Sequence, residues 1–234
     1  MLIQTQFVTL PVSEGTNMQV YIAMPEGDGP FPGLLVFQEA FGVNAHIRSV
    51  VDRFANEGYI AIAPELFHRT AAPGLEIAYT DFASVMPHMQ SLTIEDNEAD
   101  IIATYNWLKN NKGVIEDEIS STGYCMGGRM SFLANSILPL KCAVSYYAGG
   151  IAPHAANWAP NLHGPMLCFW GGLDKHILPE QIATVVEEMK KADKQYMNVE
   201  ISYADHGFFC DAKPAYNPKA AKEAWALTLA FLKG

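Results

Sequence analysis

Short apolar runs, each closed by glycine, proline or a polar cluster, alternate along the chain with longer segments of helical spacing. Residues 3–10 and 18–24 read as an antiparallel strand pair around the turn Ser13-Glu14-Gly15-Thr16-Asn17. Residues 33–37 are uninterrupted apolar sequence, the pattern of a parallel strand buried on both faces. Further runs at 59–64, 119–123, 142–147, 165–170 and 199–203 predict strands. Helices are expected at 45–57, stopped by Gly58, at 94–110, opened by the capping-box-like Thr93-Ile94-Glu95-Asp96, and at 129–137. Two more are expected at 179–193, where Pro179 suits a first turn, and at 218–233. Residues 65–92, with Pro73, Gly74 and Pro87, read as an irregular stretch with a short helical excursion over the functional edge, and 148–164 as a loop. This alternation predicts an α/β fold in one domain over residues 1–234. Its central sheet is mostly parallel, with about eight strands, antiparallel at the N-terminal edge and covered by helices on both faces.

Charge and composition narrow the function. Acidic residues outnumber basic ones by 25 to 15, for a net charge of −10. Only Arg48, Arg53, Arg69 and Arg129 are arginines. That balance speaks against nucleic-acid binding, which needs a basic footprint. No apolar stretch approaches the length of a membrane span, and the start Met1-Leu2-Ile3-Gln4-Thr5-Gln6-Phe7 lacks the marks of a signal peptide. Cys125, Cys142, Cys168 and Cys210 are too scattered for a disulfide framework. Cys142 and Cys168 lie in apolar strands as packed thiols, and a reducing cytoplasm is the expected setting. His46, His68, His88, His154 and His163 read as loop or surface residues, Met126 and Met130 as packing.

The chemistry concentrates on one cysteine. Gly123-Tyr124-Cys125-Met126-Gly127-Gly128 stands between a strand and a helix, the strand–turn–helix pattern of the α/β-hydrolase nucleophile. Such a turn strains the backbone at the nucleophile, and glycine at Gly123 and Gly127 removes the side-chain clash. In this fold an acid and then a histidine follow later strands. Asp174 follows the run 165–170, and His206 follows 199–203. A free thiol titrates near ~8.5 and needs a base; His206 serves as that base and Asp174 orients it. The product of attack on a carbonyl is a thioester, which water then cleaves. Oxyanion donors are expected at the N–H of Met126 and the N–H of Ala40, after the strand at 33–37.

Glu39 ends that same strand. It reads either as a carboxylate satisfied by loop amides or as an anion that keeps the thiol neutral at rest. Asp174, His176 and His206 lack metal-ligand spacing, so neither metal nor cofactor is expected. A thioesterase or general carboxylesterase on the same residues is an alternative reading. So is a non-catalytic ligand-binding protein with Cys125 as a sensor thiol.

The segments Gln38-Glu39-Ala40-Phe41-Gly42-Val43-Asn44, Gly58-Tyr59, Pro64-Glu65-Leu66, Gly123-Tyr124-Cys125-Met126-Gly127-Gly128 and Asp205-His206-Gly207-Phe208 resemble the dienelactone hydrolase (carboxymethylenebutenolidase) family from residue 33 onward. The resemblance implies a Cys125–His206–Asp174 triad and an oxyanion hole at Ala40 and Met126. It also implies a regulatory Glu39 that contacts the resting thiol and moves on substrate binding. The expected partner is a small-molecule ester or lactone, hydrolysed by a monomer or homodimer. Studied family members hold a substrate carboxylate with two arginines. One of those positions is Cys210 here, and no arginine matches the other. Tyr79, His88, Trp158, Phe208 and Phe209 point instead to a more apolar pocket, with Phe208 as a substrate-side residue.

Overall fold

Strands whose every side chain is buried require cover on both faces, because successive side chains point to opposite sides. β4 (Ile60–Pro64), β6 (Ala143–Tyr146) and β7 (Met166–Gly171) are buried throughout. In β3 (Phe31–Phe37), Leu34, Leu35, Val36 and Phe37 have no exposed surface, and such burial contributes about 1.5–3 kcal/mol per large side chain. The computed structural model describes residues 2–13 and 15–234, so Met1 and Glu14 of the first turn lie outside the described residues. With β1 (Ile3–Pro11), β2 (Asn17–Pro25), β5 (Val114–Tyr124) and β8 (Tyr196–Ile201), the sheet has eight strands in the order β1-β2-β4-β3-β5-β6-β7-β8. The pairs β1/β2 and β2/β4 are antiparallel. The pairs β3/β4, β5/β6, β6/β7 and β7/β8 are parallel. The mostly parallel sheet with an antiparallel N-terminal edge is therefore present.

The chain divides into two compact units, residues 1–120 and 121–234, with the boundary inside β5. In the first unit, α1 (Ala45–Asn56) starts where Asn44 Oδ1 accepts the N–H of Ile47, and α3 (Ile94–Lys109) starts where Thr93 Oγ1 accepts that of Asp96. The stretch 65–92 contains a formed helix, α2 (Phe82–Ser91), capped by Asp81 and tolerating Pro87 inside it. Val85 of α2 packs with Ala40, Phe41 and Ile77, an apolar anchor that single-residue turn signals concealed. His46 and His68 are corrections: His46 is buried within α1, and His68 has a buried side chain with Nε2 3.0 Å from Asp100 Oδ1, where Arg69 also binds. The buried Asp100 carboxylate, which Arg69 also binds, holds the His68 ring inward.

In the second unit, α4 (Met126–Ile137), α6 (Pro179–Lys191) and α7 (Pro218–Lys233) fall close to where they were expected. Two boundaries differ. The loop after β6 folds into short turns around α5 (Ala155–Trp158), where Pro153 and Pro160 sit in first-turn positions. β8 begins at Tyr196, before the predicted 199–203, and Ser202 and Tyr203 belong to the following turn. As the last strand of the sheet, β8 leaves Met197, Asn198 and Glu200 exposed, which hid its apolar period.

Candidate active site

The second unit brings Cys125, Asp174 and His206 together from the ends of β5, β7 and β8, which run in one direction. Parallel strands deliver their C-terminal loops to one edge, where ligands of such sheets bind.

Cys125 occupies a conformation that side chains avoid, φ 55° and ψ −116°. Its own N–H donates to the Tyr146 carbonyl at 3.0 Å, and its carbonyl accepts from Gly128 N at 3.0 Å, which fixes the turn between β5 and α4. A Cβ on Gly123 would stand 1.9 Å from the Gly127 carbonyl oxygen, so the strand can meet the helix start this closely only with glycine. Gly128, the last glycine of the motif, is constrained as well: a Cβ there would meet Tyr146 O and Ala148 Cβ at 2.8 Å. Met126 is buried and supplies one of the first amides of α4, groups that have no intrahelical acceptor.

The acid and the histidine are seated by a second close approach. Gly172 N donates to Ile201 O and Leu173 N to Ala204 O, both at 2.9 Å, stitching the turn after β7 to the turn after β8. A Cβ on Gly172 would lie 2.6 Å from Ser202 Cα. Asp174 Oδ1 accepts the backbone N–H of His176 at 2.7 Å and of Ile177 at 3.3 Å, while Oδ2 lies 2.8 Å from His206 Nδ1. His206 Nε2 lies 3.2 Å from Cys125 Sγ. The imidazole also meets Tyr147 edge-on, with ring centroids 5.2 Å apart.

The electrostatics follow from this chain of contacts. Burial pushes Asp174 upward, but the hydrogen bond and charge of His206 and the two backbone amides outweigh it and hold the carboxyl below its ordinary range. Burial likewise pushes His206 down, and is outweighed by the hydrogen bonds and charges of Asp174 and Cys125, which raise it to about 10. Cys168, wholly buried, is pushed up to about 12 by desolvation, and Cys142 is buried too, so both are packing thiols. Cys125 alone among the cysteines is partly exposed.

Other residues singled out from sequence sit as follows. In the first unit, Glu39 and Ala40 follow β3 and are buried, and Gln38 Nε2 donates to Glu39 O at 3.1 Å. Tyr79 OH accepts from Asn44 Nδ2, and His88 Nδ1 lies 2.7 Å from Thr70 Oγ1. In the second unit, Phe208 has no exposed surface and packs against Tyr147 at 5.2 Å, one layer behind His206. Phe209 is buried against Tyr124, and Trp158 stacks on His154. No helix among the described residues is long and apolar enough to cross a membrane.

An eight-stranded, mostly parallel sheet with a strained strand–turn–helix after β5 defines an α/β-hydrolase fold. The sequence matches the dienelactone hydrolase family over residues 18–234, and the chain belongs to that family, a group of carboxylic ester hydrolases. A Synechocystis sp. protein provisionally named carboxymethylenebutenolidase is 34% identical over 240 residues, covering 95% of this chain and 94% of its own. An Escherichia coli protein with the same provisional name is 32% identical, covering 97% of this chain and 86% of its own. The crystal structure of a provisionally named dienelactone hydrolase from Klebsiella pneumoniae superposes with a TM-score of 0.89 at 30% identity, covering 100% of this chain and 99% of the other.

Proposed function

We propose that this chain hydrolyses small carboxylic esters or lactones through a thioester on Cys125, with His206 as proton carrier and Asp174 as its orienting acid. The observation that carries this reading is the continuous line from Sγ to Nε2 at 3.2 Å and from Nδ1 to Oδ2 at 2.8 Å. With His206 lifted to about 10, Nε2 carries a proton at neutral pH, and the sulfur it faces reacts as thiolate. The thiolate attacks the substrate carbonyl carbon, and the N–H of Met126 at the start of α4 stabilises the oxyanion. Collapse of the tetrahedral adduct expels the alkoxide, which takes the Nε2 proton and leaves as alcohol.

The thioester sulfur carries no charge. The imidazole, having given its proton to the alkoxide, is neutral and acts as the base for water, and two of the causes that raise His206 are gone. Water gives Nε2 a proton as its oxygen attacks the thioester. Expulsion of the thiolate releases the acid and restores the starting pair. This chemistry requires a reduced thiol, which fits a cytoplasmic setting.

The test is a panel of a p-nitrophenyl ester, an acyl thioester and a lactone, assayed on wild type and Cys125→Ser. The wild type should turn over at least the ester or the lactone and carry an acyl mass on the Cys125 peptide after rapid quenching. Serine is a far weaker nucleophile at neutral pH, so the variant should lose nearly all activity. Retained turnover in Cys125→Ser would sink the assignment.

A further inference from the structure

The His206 imidazole touches two other rings, and they differ in kind. Tyr147 has no exposed surface and meets it edge-on, with centroids 5.2 Å apart. Its backbone stands at φ 37°, which side chains avoid, and its N–H donates to Phe169 O at 2.8 Å. Tyr147 is a fixed inner wall. His176 is exposed, yet its ring also lies edge-on against His206, with centroids 5.4 Å apart and planes at 75°. Among the described residues the His176 side chain makes no hydrogen bond or ion pair. An imidazole that could point into water instead covers the solvent side of the base.

The turn that carries His176 fixes where it stands. Asp174 Oδ1 accepts the N–H of His176 at 2.7 Å, the neighbouring Ile177 is buried, and Leu178 N donates to Gln181 Oε1 at 2.9 Å as α6 begins. One short segment therefore orients the base twice. Its carboxylate holds Nδ1, and its imidazole flanks the ring.

The flank matters most in the second half of the reaction. At rest the His206 ring is tied at both nitrogens, Nδ1 to Asp174 at 2.8 Å and Nε2 to Cys125 at 3.2 Å. In the thioester the sulfur has neither charge nor proton, so the bond to Nε2 lapses. A ring held at one nitrogen can swing, and a misplacement of about 1 Å in a catalytic group can cost about 10²-fold in rate. We infer that His176 is a positioning residue that keeps the His206 ring in line, against the Tyr147 wall, while water cleaves the acyl-enzyme. The inference rests on the thioester reading of Cys125 and adds no group to the bond-making steps. Acylation, in which the sulfur itself holds Nε2, needs the flank little; deacylation needs it most.

The experiment mixes p-nitrophenyl acetate with enzyme in stopped flow. It follows the burst of p-nitrophenolate, the steady rate after it, and the acyl mass on the Cys125 peptide after rapid quenching. Wild type, His176→Ala, His176→Phe and His176→Gln are compared, each with its melting temperature. In His176→Ala the burst should keep its wild-type rate, while the steady rate falls about 2- to 12-fold, the weight of one aromatic pair, and acyl-enzyme accumulates. His176→Phe keeps a ring edge on His206 and should restore the steady rate. His176→Gln keeps a polar group without a ring and should not. Equal slowing of both phases in His176→Ala, a steady rate unchanged from wild type, or a failure of phenylalanine to restore it would overturn the proposal. An acyl mass on wild-type Cys125 with no effect of the His176 variants would defeat this inference alone. A wild type with neither turnover nor an acyl mass would defeat the thioester reading, and the role of His176 with it.

Discussion

The carbonyl oxygen of Gly127 stands 1.9 Å from where a Cβ on Gly123 would be, across the turn that holds Cys125 at φ 55°. Neither atom is the end of a flexible side chain, so an added methyl cannot be accommodated without moving the backbone of the turn. Gly123→Ala should therefore lower stability by more than the 1–3 kcal/mol typical of overpacking, or pull Cys125 out of line with His206. Thermal melting and ester turnover measured together check this; a variant that is both as stable and as active as wild type would contradict the geometry.

Replacing the sulfur should change His206 in a calculable direction. Two of the four influences that lift the imidazole come from Cys125, its hydrogen bond and its charge, while burial pulls the other way. Cys125→Ala removes both and leaves Asp174 in place. The His206 titration, followed by NMR of the imidazole carbons, should move down from about 10 toward the ordinary range. A titration that stays where it was would mean that Asp174 alone sets it.

Much of this arrangement is legible in the residues, and the illegible parts have a common cause. The order of Cys125, Asp174 and His206 after three apolar runs is visible because parallel strands deposit their following loops on one edge. β3 and β4 are readable because burial on both faces leaves no polar position to confuse the period. β8 was displaced because one side of it meets solvent, and α2 is legible only as a short helical excursion without bounds, because Pro87 and the turn residues around it outweigh a single buried Val85. His68 could not be placed from sequence, since its surroundings depend on a residue distant in the chain, Asp100.

Asp174→Asn is expected to disable the enzyme without unfolding it. The amide oxygen can still accept the N–H groups of His176 and Ile177, so the turn persists. Its NH₂ would face Nδ1, favouring the tautomer whose proton points at the sulfur. That tautomer cannot accept a proton from the thiol or from water, and a loss of about 10⁴ in kcat accompanies such an error in a comparable triad. Steady-state kinetics give the loss, and a melting temperature within a few degrees of wild type separates it from unfolding.

The pH dependence of stability carries a sign. His206 has a raised folded-state pKa, so the stability it contributes is fully present below its unfolded value near ~6.5 and disappears as pH rises toward about 10. Asp174 is lowered, so its contribution is present above the ordinary carboxylate range and is lost as pH falls through its folded value. The difference in urea stability between wild type and His206→Gln should therefore narrow steadily between pH 7 and 10. A difference that widens over that range would reverse the assignment.

Asp100 gives the clearest prediction about stability in the first unit. It has no exposed side-chain surface, and both of its oxygens bind Arg69, at 2.9 Å each, with His68 Nε2 also 3.0 Å from Oδ1. Removing one partner of such a pair costs far more than the pair itself contributes, because the other charge stays buried and unpaired. Arg69→Met should thus cost about 3–5 kcal/mol. For a chain of this size that is a drop of roughly 6–20 °C in melting temperature. Adding Asp100→Leu removes the stranded carboxylate, and the double variant should recover most of the loss, although it has given up more native bonds than the single one. Calorimetry on the three proteins decides the matter: losses that simply add would show that Asp100 is not held by Arg69 in the way the distances indicate.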